Sequence, residues 1–384
     1  MSTSVSRRSM LGLVGATSLA VTALAATPGV ATAAVSPHLP APDLRDYERL
    51  VADLAAQDQF SGTVLLARKG RPALVRSYGL ADQGRSIANQ PDTIFWLASI
   101  TKCFTALAIT QLVQRGTLAF TDTIGAHLTG FPAESAAVTV HQLLTHTSGV
   151  GRPALGSGNP AELQWNSFEE VMDGTLDIIR QTPLQFIPGT RYAYSNDGFF
   201  VLGAIVAQAS GQSYFDYVRE HVFRLAGMPT TDFYSGPQVL TDRRIARPYW
   251  TQPDGSRIDF AASPYAPFTT GPAGGAYTTA SDLLAFARAL TAGTLVAPAF
   301  TALLTGGKVA LPASQPPSQA EFYGYGHLEA IVNNQLVTGN KGGGPGASTR
   351  LDVFPGRNWV SIVLSNYDTT INPIVQAARN LITD

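Results

Sequence analysis

The strand-like segments of this sequence lie near its two ends, and this placement constrains the possible folds more than any other feature. The stretch "SGTVLLARKGRPALVRSYGLAD" (61–82) predicts two strands joined by a turn at Lys69 and Gly70. Strand patterns return only after about residue 322, in "FYGYGHLEAIV", "STRLDVFP" and "NWVSIVLSN". A helical pattern, "NPIVQAARNLIT", closes the chain. The two ends are therefore expected to share one sheet.

The region between these ends, roughly 95–300, reads as helical patches separated by loops rich in glycine and proline. The clearest helical runs are "NDGFFVLGAIVAQASGQSYFDYVREHVF" and "TASDLLAFARALTAG". Strands at both ends with helices between them predict an α+β fold, that is, an α/β architecture of two regions. We expect an antiparallel sheet built from both termini and flanked by helices, with an inserted, mostly helical region.

Composition excludes several function classes. The 384 residues are 45% hydrophobic and 14% charged, with a formal net charge of −1, so the chain can bury a large core. No long basic stretch supports binding to nucleic acid. The one cysteine, Cys103, excludes an intrachain disulfide and a cluster of metal-bound thiolates, and we expect it to pack in the core.

The first 33 residues resemble a twin-arginine export signal. Arg7 and Arg8 precede an apolar run over 10–26, and the small residues "ATAA" follow at 31–34. We expect cleavage after Ala33 or the next alanine. The alternative, a retained membrane anchor, is disfavoured because the run is short and rich in small residues.

Two domain assignments follow from the export signal. Residues 1–33 are expected to be removed, and residues 34–384 are expected to form a single domain with the helical insertion at roughly 95–300. We therefore predict a secreted protein with no stable membrane anchor, and we expect a monomer.

The stretch "LASITKCFTA" (97–106) contains a lysine where the pattern predicts a buried helix. Ser99 and Lys102 are separated by three positions, so a helix places both side chains on one face. A buried amine has a lowered pKa and can accept a proton from a serine hydroxyl, which makes the serine a nucleophile. The pattern S-x-x-K alone is weak, because a serine beside a lysine that extends to solvent produces it equally well.

Two later stretches contain further polar groups suited to catalysis. In "PGTRYAYSNDGFF" (188–200), Tyr194 and Asn196 are two positions apart, which predicts a phenol and an amide on the same side of an extended loop. In "TGNKGGGPGASTR" (338–350), the glycines permit close approach of a ligand to the backbone, and amides at a strand edge can bind an oxyanion.

Taken together and in this order, the three stretches resemble the motifs of the serine β-lactamase and penicillin-binding protein superfamily. The branch with class C β-lactamases, D-Ala-D-Ala carboxypeptidases, D-aminopeptidases and related esterases is the most similar. Two other stretches, "VTVHQLLTHTSGV" and "GPAGGAYTTASDLLAFARAL", are similar to segments of that branch. The resemblance extends from the hairpin near residue 62 to the final helix and implies a β-lactamase/transpeptidase-like fold.

The resemblance also implies roles for individual residues. Ser99 would be the acylated nucleophile, and Lys102 with Tyr194 would form the shared general base, with Tyr194 later protonating the leaving group. Asn196 would hold Lys102 and the acyl part of the substrate. The backbone amides of Ser99 and Gly343 would stabilise the oxyanion. No metal and no organic cofactor is implied.

The third motif departs from the family pattern. A lysine or histidine that helps to bind a substrate carboxylate is expected at the position of Asn340, which is followed by Lys341 and Gly342. We predict that these three residues and Gly343 contact substrate, and Lys341 and Arg350 are the two candidates to compensate for the missing cation. The asparagine favours an esterase, or an amidase with a neutral substrate.

The predicted function is hydrolysis of an ester or amide in a small-molecule or peptide acyl substrate, by an esterase, an amidase or a D-Ala-D-Ala carboxypeptidase. The alternatives are a β-lactamase or transacylase that uses the same acyl-enzyme, or a non-catalytic penicillin-binding-like module. The motif G-x-S-x-G is absent, and the histidines do not form an H-E-x-x-H pair. His146 is expected to be structural.

Overall fold

Both ends of the chain contribute strands to one antiparallel sheet in the computed structural model, which describes residues 43–151, 160–311 and 320–384. The export signal predicted at 1–33 lies outside the described residues. Within the described part, the strands of this sheet are β1 (Gly62–Arg68), β2 (Arg71–Tyr78), β3 (Val309–Ala310), β4 (Ala320–Tyr323), β5 (Leu328–Val332), β6 (Gln335–Gly344), β7 (Ala347–Phe354) and β8 (Trp359–Ser365).

The spatial order of the strands is β2-β1-β8-β7-β6-β5-β4-β3. The N-terminal hairpin is thus continued by the last strand, and Gly62 of β1 lies opposite Ser365 of β8. At the hairpin turn, Lys69 and Gly70 have φ values of 50° and 72°, which suit the two-residue turn that matches strand twist. This arrangement confirms the predicted sheet built from both termini.

Within residues 43–151, 160–311 and 320–384, seven longer helices surround the sheet or lie in the inserted region. They are α1 (Arg45–Ala56), α2 (Thr101–Gln114), α3 (Phe168–Gln181), α4 (Asn196–Ser210), α5 (Ala280–Thr291), α6 (Pro298–Thr305) and α7 (Asn372–Thr383). Shorter helical turns lie between them, among them Ala98–Ile100, Val140–Leu144, Tyr214–Val218 and Gly271–Gly274. The insertion between β2 and β3 is mostly helical, as predicted, although it also contains small two-stranded ladders.

The sheet is covered on both faces, because alternate side chains of a strand point to opposite sides. Val64 and Leu66 of β1 belong to the apolar cluster formed with α1 and α7, which we call the outer face. Leu65 and Ala67 belong to the larger cluster formed with α2, α4 and α5, which we call the inner face. The fold is therefore α+β, with helices on both sides of one antiparallel sheet.

Helix α2 lies at the centre of the inner cluster. Every residue from Thr101 to Leu112 is buried, which is the behaviour of a helix surrounded on all sides. A short ladder between Phe95–Trp96 and Tyr277–Thr278 brings the turn Gly271–Gly274 beside the start of α2. The beginning of α2 is thus held between the sheet and the helical region. In the described residues, no helix is both long enough and apolar enough to cross a membrane.

Candidate active site

The start of α2 presents the serine and lysine of the first motif to each other. Ser99 lies in the helical turn Ala98–Ile100, and Lys102 lies in the first turn of α2. Lys102 Nζ is 3.1 Å from Ser99 Oγ, close enough for direct proton transfer between the two side chains. The helical spacing expected from the sequence therefore brings these groups together.

Lys102 is completely buried, and its acceptors are all neutral. Its Nζ donates to Ser99 Oγ at 3.1 Å, to Asn196 Oδ1 at 2.8 Å and to the Ala273 carbonyl at 2.6 Å. Burial without a carboxylate partner penalises the ammonium form. It lowers the pKa of Lys102 from 10.5 to about 7, so a large fraction of the amine is neutral near pH 7.

Tyr194 completes a triangle of polar groups around Ser99. Its hydroxyl is 2.6 Å from Ser99 Oγ, and its ring centroid is 4.8 Å from Lys102 Nζ. Although 48% of the residue is exposed, burial around the phenol raises the pKa of Tyr194 to about 12 despite the hydrogen bond to Ser99. The phenol therefore stays protonated near pH 7, and Lys102 is the group of the triangle that titrates there.

The loop that carries Tyr194 is anchored on both sides of that residue by one buried histidine. The amide of Ala193 donates to the His146 carbonyl at 2.9 Å, and the amide of Ser195 donates to His146 Nδ1 at 3.1 Å. The rings of His146 and Tyr194 have centroids 4.4 Å apart. Burial, and then the charge of Lys102, lower the pKa of His146 well below its usual value. A neutral His146 therefore fits the structural role expected from the sequence.

Asn196 begins α4 rather than continuing an extended loop. The preceding residue, Ser195, caps the helix through a hydrogen bond from the Gly198 amide to its hydroxyl at 2.9 Å. The cap fixes the direction of the Asn196 side chain, whose Oδ1 accepts from Lys102. A helix N-terminus, not the two-residue period of a strand, thus places Asn196 beside Lys102.

An open edge of β6 lies beside Ser99. β6 pairs with β7 along 338–344 but with β5 only along 335–339, so the last residues of β6 have one unpaired edge. The amide of Lys341 donates to Asn340 Oδ1 at 2.8 Å and so points away from β7. Amides two residues apart point to the same edge, which directs the Gly343 amide to the open side.

Close packing at β6 explains one of its glycines. A Cβ atom on Gly342 would lie 2.1 Å from the carbonyl oxygen of Leu97, two residues before Ser99. Only a residue without a side chain lets the strand approach the nucleophile this closely. Ser99 itself stands at the start of a helix, where the first amides have no intrahelical acceptor. The segments that carry the amides of Ser99 and Gly343 are therefore neighbours, and oxyanion binding by these amides stays a prediction.

The charged and amide side chains of the third motif do not reach the space above Ser99. Asn340 is buried, and its Nδ2 donates to the Gly326 carbonyl at 2.7 Å. Lys341 lies opposite Arg350 in the register of β6 and β7, and such partners share a face of the sheet. Arg350 binds Asp352 at 2.6 Å on the outer face, where α7 packs. Neither Lys341 nor Arg350 therefore takes the place of the lysine or histidine expected at position 340.

A cleft with a volume of about 290 Å³ opens beside Ser99. Its lining includes Ser99, Asn196, Gly343 and Gly344, together with aromatic and aliphatic side chains from the inserted region. A larger cavity of about 710 Å³ lies between the turn at Lys69 and helix α5, and none of the predicted site residues lines it. The chemistry therefore belongs to the smaller cleft.

Other candidate groups are accounted for by packing. Cys103 is fully buried beside Lys102, and burial raises the pKa of its thiol to about 12, so it does not act as a thiolate nucleophile near pH 7. In the described residues, no group of three or more His, Cys, Asp or Glu side chains is placed to hold a metal ion.

Sequence reasoning missed two contributors to the site. The backbone carbonyl of Ala273 accepts the shortest hydrogen bond of Lys102, and the ring of Phe199 lies 5.4 Å from the same Nζ. The segment "GPAGGAY" gives no residue-type signal for the carbonyl, because any residue supplies one. Phe199 reads as one apolar residue among many in α4. Only the fold identifies either contact.

The arrangement as a whole suits acyl transfer. It contains a hydroxyl nucleophile, a buried amine of near-neutral pKa, a phenol that can relay a proton, and backbone amides directed at an open strand edge. A carbonyl carbon placed against Ser99 Oγ would have a base within reach and the open edge of β6 beside it.

The family model described as Beta-lactamase matches residues 47–382. Penicillin-binding protein 4* of Bacillus subtilis (strain 168) is 34% identical over 204 residues, which cover 52% of this chain and 44% of the relative. The chain thus spans less than half the length of that relative.

Two further comparisons cover more of the molecule. Esterase EstB of Burkholderia gladioli is 30% identical over 358 residues, which cover 83% of this chain and 89% of the relative. The crystal structure of a penicillin binding protein from Bacillus halodurans superposes with a TM-score of 0.76 at 29% identity. That superposition covers 86% of this chain and 98% of the other.

Proposed function

Because the chain belongs to the beta-lactamase family, we propose that it hydrolyses an ester or amide through an acyl-enzyme formed on Ser99. The observation that carries this proposal is the triangle in which Ser99 Oγ lies 3.1 Å from Lys102 Nζ and 2.6 Å from Tyr194 Oη. The fully buried Lys102, with its pKa lowered to about 7 by burial, supplies a base at neutral pH.

The first half of the reaction forms the acyl-enzyme. As Ser99 Oγ bonds to the substrate carbonyl carbon, its proton passes to neutral Lys102, directly or through the Tyr194 hydroxyl. The amides of Ser99 and Gly343 stabilise the oxyanion. The bond to the leaving group then breaks as Tyr194 donates its proton to that group and regains one from the Lys102 ammonium.

The second half releases the acyl group. Water attacks the ester carbon and transfers a proton to Lys102, and Ser99 leaves with a proton returned through the same network. An alcohol or amine in place of water would make the same acyl-enzyme a transacylase. The two outcomes differ only in the nucleophile of this step.

The contacts of the third motif favour a substrate without an obligatory carboxylate. Asn340 is turned to the Gly326 carbonyl, and Arg350 is paired with Asp352 on the other face of the sheet. The carboxylate of a penicillin or of a D-Ala-D-Ala peptide would therefore find neither Lys341 nor Arg350 beside Ser99. Similarity to a protein named Esterase EstB over 83% of the chain supports an esterase or amidase over a peptidase.

The test is hydrolysis of p-nitrophenyl butyrate by the purified protein and by Ser99→Ala. We expect turnover that falls at least about 10⁴-fold in the variant, because the nucleophile is lost. Ser281→Ala, on α5 and outside the cleft, is the matched control and should keep full activity. Equal rates for wild type and Ser99→Ala would contradict the proposal. Inert protein that is nevertheless labelled on Ser99 by a fluorescent penicillin would favour a penicillin-binding module instead.

Export is a second, separate proposal. Arg7 and Arg8 with the following apolar run support recognition as a twin-arginine signal. In a host that exports the wild-type chain, a variant with both arginines replaced by lysine should stay inside the cell with its N-terminal segment uncleaved. Equal secretion of the two forms would contradict it.

A further inference from the structure

The cleft beside Ser99 receives one particular half of the substrate. Ser99 lines the cleft, whereas Tyr194, whose hydroxyl is 2.6 Å from Ser99 Oγ, does not. In the proposed reaction Tyr194 protonates the leaving group, so that group lies on the Tyr194 side. The cleft of about 290 Å³ is therefore the space for the acyl group.

The walls of this acyl cleft are largely aromatic and aliphatic. Trp96, Trp165, Val171, Phe200 and Pro267 line it. They come from separate elements, and contacts outside the cleft fix two of them. The indole N–H of Trp96 donates to the Gly274 carbonyl at 2.6 Å, and Phe200 is buried in α4. Pockets of this character bind apolar groups by excluding water from them.

Trp165 is seated by a glycine of α3. A Cβ atom on Gly174 would lie 2.2 Å from the Trp165 ring, so the indole rests directly on the helix backbone. The start of α3 fixes the approach of this residue: the Glu170 carboxylate accepts from the Asn166 amide at 2.6 Å, and the Ser167 hydroxyl accepts from the Glu170 amide at 3.0 Å. Trp165 is a positioned wall of the cleft.

The charges around the cleft disfavour an acidic acyl group. Among the described residues that line it, the ionisable side chains are Glu162 and Asp197, and no lysine or arginine is present. A carboxylate on the acyl group would lose its hydration without gaining a counter-ion from any of these described residues. Thr175 and Asn196 offer only neutral hydrogen bonds.

We propose that this cleft selects an apolar acyl group that carries no negative charge, and that Trp165, seated on Gly174, determines that preference. The inference rests on the proposed acyl-enzyme at Ser99 and names the substrate class of that site. Groups of the size of a phenylacetyl or a medium-length alkyl chain match an apolar space of about 290 Å³.

The test is a series of p-nitrophenyl esters with one leaving group and different acyl groups: acetyl, butyryl, hexanoyl, phenylacetyl and succinyl. We expect kcat/KM for phenylacetyl or hexanoyl to exceed that for acetyl at least about tenfold, since each buried apolar group contributes about tenfold or more. The succinyl ester, similar in size to butyryl but anionic, should be at least about tenfold poorer than butyryl.

Two variants test the role of Trp165. Trp165→Ala removes the wall, and Gly174→Ala displaces the ring while favouring the helix, so at least one of them should fold. Each should lower the ratio of phenylacetyl to acetyl kcat/KM about tenfold. Leu163→Ala, on the same segment but outside the cleft lining, is the matched control and should leave the ratio unchanged.

The outcomes separate the two proposals. If no ester is hydrolysed in a Ser99-dependent manner, the proposed function itself fails. If Ser99-dependent hydrolysis occurs but the succinyl ester equals the butyryl ester, or the phenylacetyl ratio is unchanged in folded Trp165→Ala and Gly174→Ala, the acyl cleft inference is overturned while the function stands.

Discussion

One buried lysine and two buried arginines lie on opposite faces of the same sheet, and their surroundings differ. On the inner face, Lys102 is fully buried and donates to a hydroxyl, an amide and a carbonyl. On the outer face, Arg350 and Arg379 enclose the carboxylate of Asp352 at 2.6 and 2.8 Å. One cation is buried among neutral groups, and the others share a counter-ion.

The difference shows in the pKa values. Burial lowers the pKa of Lys102 to about 7 because its surroundings do not repay the lost hydration of the charge. Burial acts to raise the pKa of Asp352, but the charges of Arg350 and Arg379 outweigh it and hold that pKa below the usual value. A paired buried charge is locked in one ionisation state, whereas an uncompensated one can gain and lose a proton, as a catalytic base must.

The largest expected effect is the loss of activity when Lys102, the buried cation on the inner face, is replaced. Lys102→Met should lower kcat/KM on p-nitrophenyl butyrate by up to about 10⁴-fold, because general base catalysis is lost while the apolar part of the side chain is kept. The variant should melt no lower than the wild type at pH 7, since a desolvated amine has been removed. Steady-state kinetics and calorimetry measure both quantities. Activity within tenfold of the wild type would mean that another group is the base.

Removing the charge of Asp352, which Arg350 and Arg379 share on the outer face, should lower stability and leave activity unchanged. Asp352→Asn leaves two buried guanidinium groups without their carboxylate and should lower the free energy of unfolding by about 3–5 kcal/mol. Urea denaturation measures this, and kcat/KM of the folded fraction should be unchanged. Asp177→Asn breaks an exposed pair with Arg180 and is the matched control, with little expected change. A stable Asp352→Asn would remove the contrast between the two faces.

The variant Tyr194→Phe separates the contribution of the Tyr194 hydroxyl from that of the base Lys102. The ring that lies over Lys102 is kept, but the hydroxyl that is 2.6 Å from Ser99 is lost. We expect kcat to fall about 10²-fold, since one proton relay is removed while the base remains. The effect should be smallest for p-nitrophenyl esters, whose leaving group departs without protonation, and larger for anilides. An equal loss on both substrate types would argue against a role in leaving-group protonation.

The last prediction is a pH dependence of stability, which is gradual and small per pH unit. The pKa of Lys102 is about 7 in the folded chain, and the ordinary value of 10.5 applies to the unfolded chain. Between these two values the unfolded state binds one more proton than the folded state. Stability due to Lys102 should therefore rise with pH across this window, by at most about 1.4 kcal/mol per pH unit, and be lost as pH falls towards 7. The stability difference between Lys102→Met and wild type should shrink as pH rises from 7 to 10. A difference that does not change with pH would contradict the lowered pKa.

The sequence was informative where a local period or a motif determines which side chains meet. The hairpin at 61–82, the sheet shared by both ends and the pairing of Ser99 with Lys102 all follow from turn residues and from helical or strand periods. Tyr194 and Asn196 could be placed in the site only through the resemblance to a family, because a loop and a helix start bring them there.

The sequence was uninformative where the register of distant strands decides the outcome. Whether Lys341 and Arg350 compensate for Asn340 depends on which face of the sheet each side chain occupies, and a shift by one residue reverses that face. The Ala273 carbonyl and the two backbone contacts of His146 carry no residue-type signal at all. These contacts are set by long-range packing, not by local pattern.

The measurement that tests the central claim most directly is the pH dependence of the acylation rate of Ser99, followed by p-nitrophenol release in a single turnover. With Lys102 as the base, the rate should rise with pH through an apparent pKa near 7, and this pKa should fall with temperature as steeply as that of an amine. A rate that does not change between pH 5 and 9 would show that Lys102 does not accept the proton from Ser99. A rate that rises only near the usual pKa of lysine would show that burial does not make Lys102 a base at neutral pH.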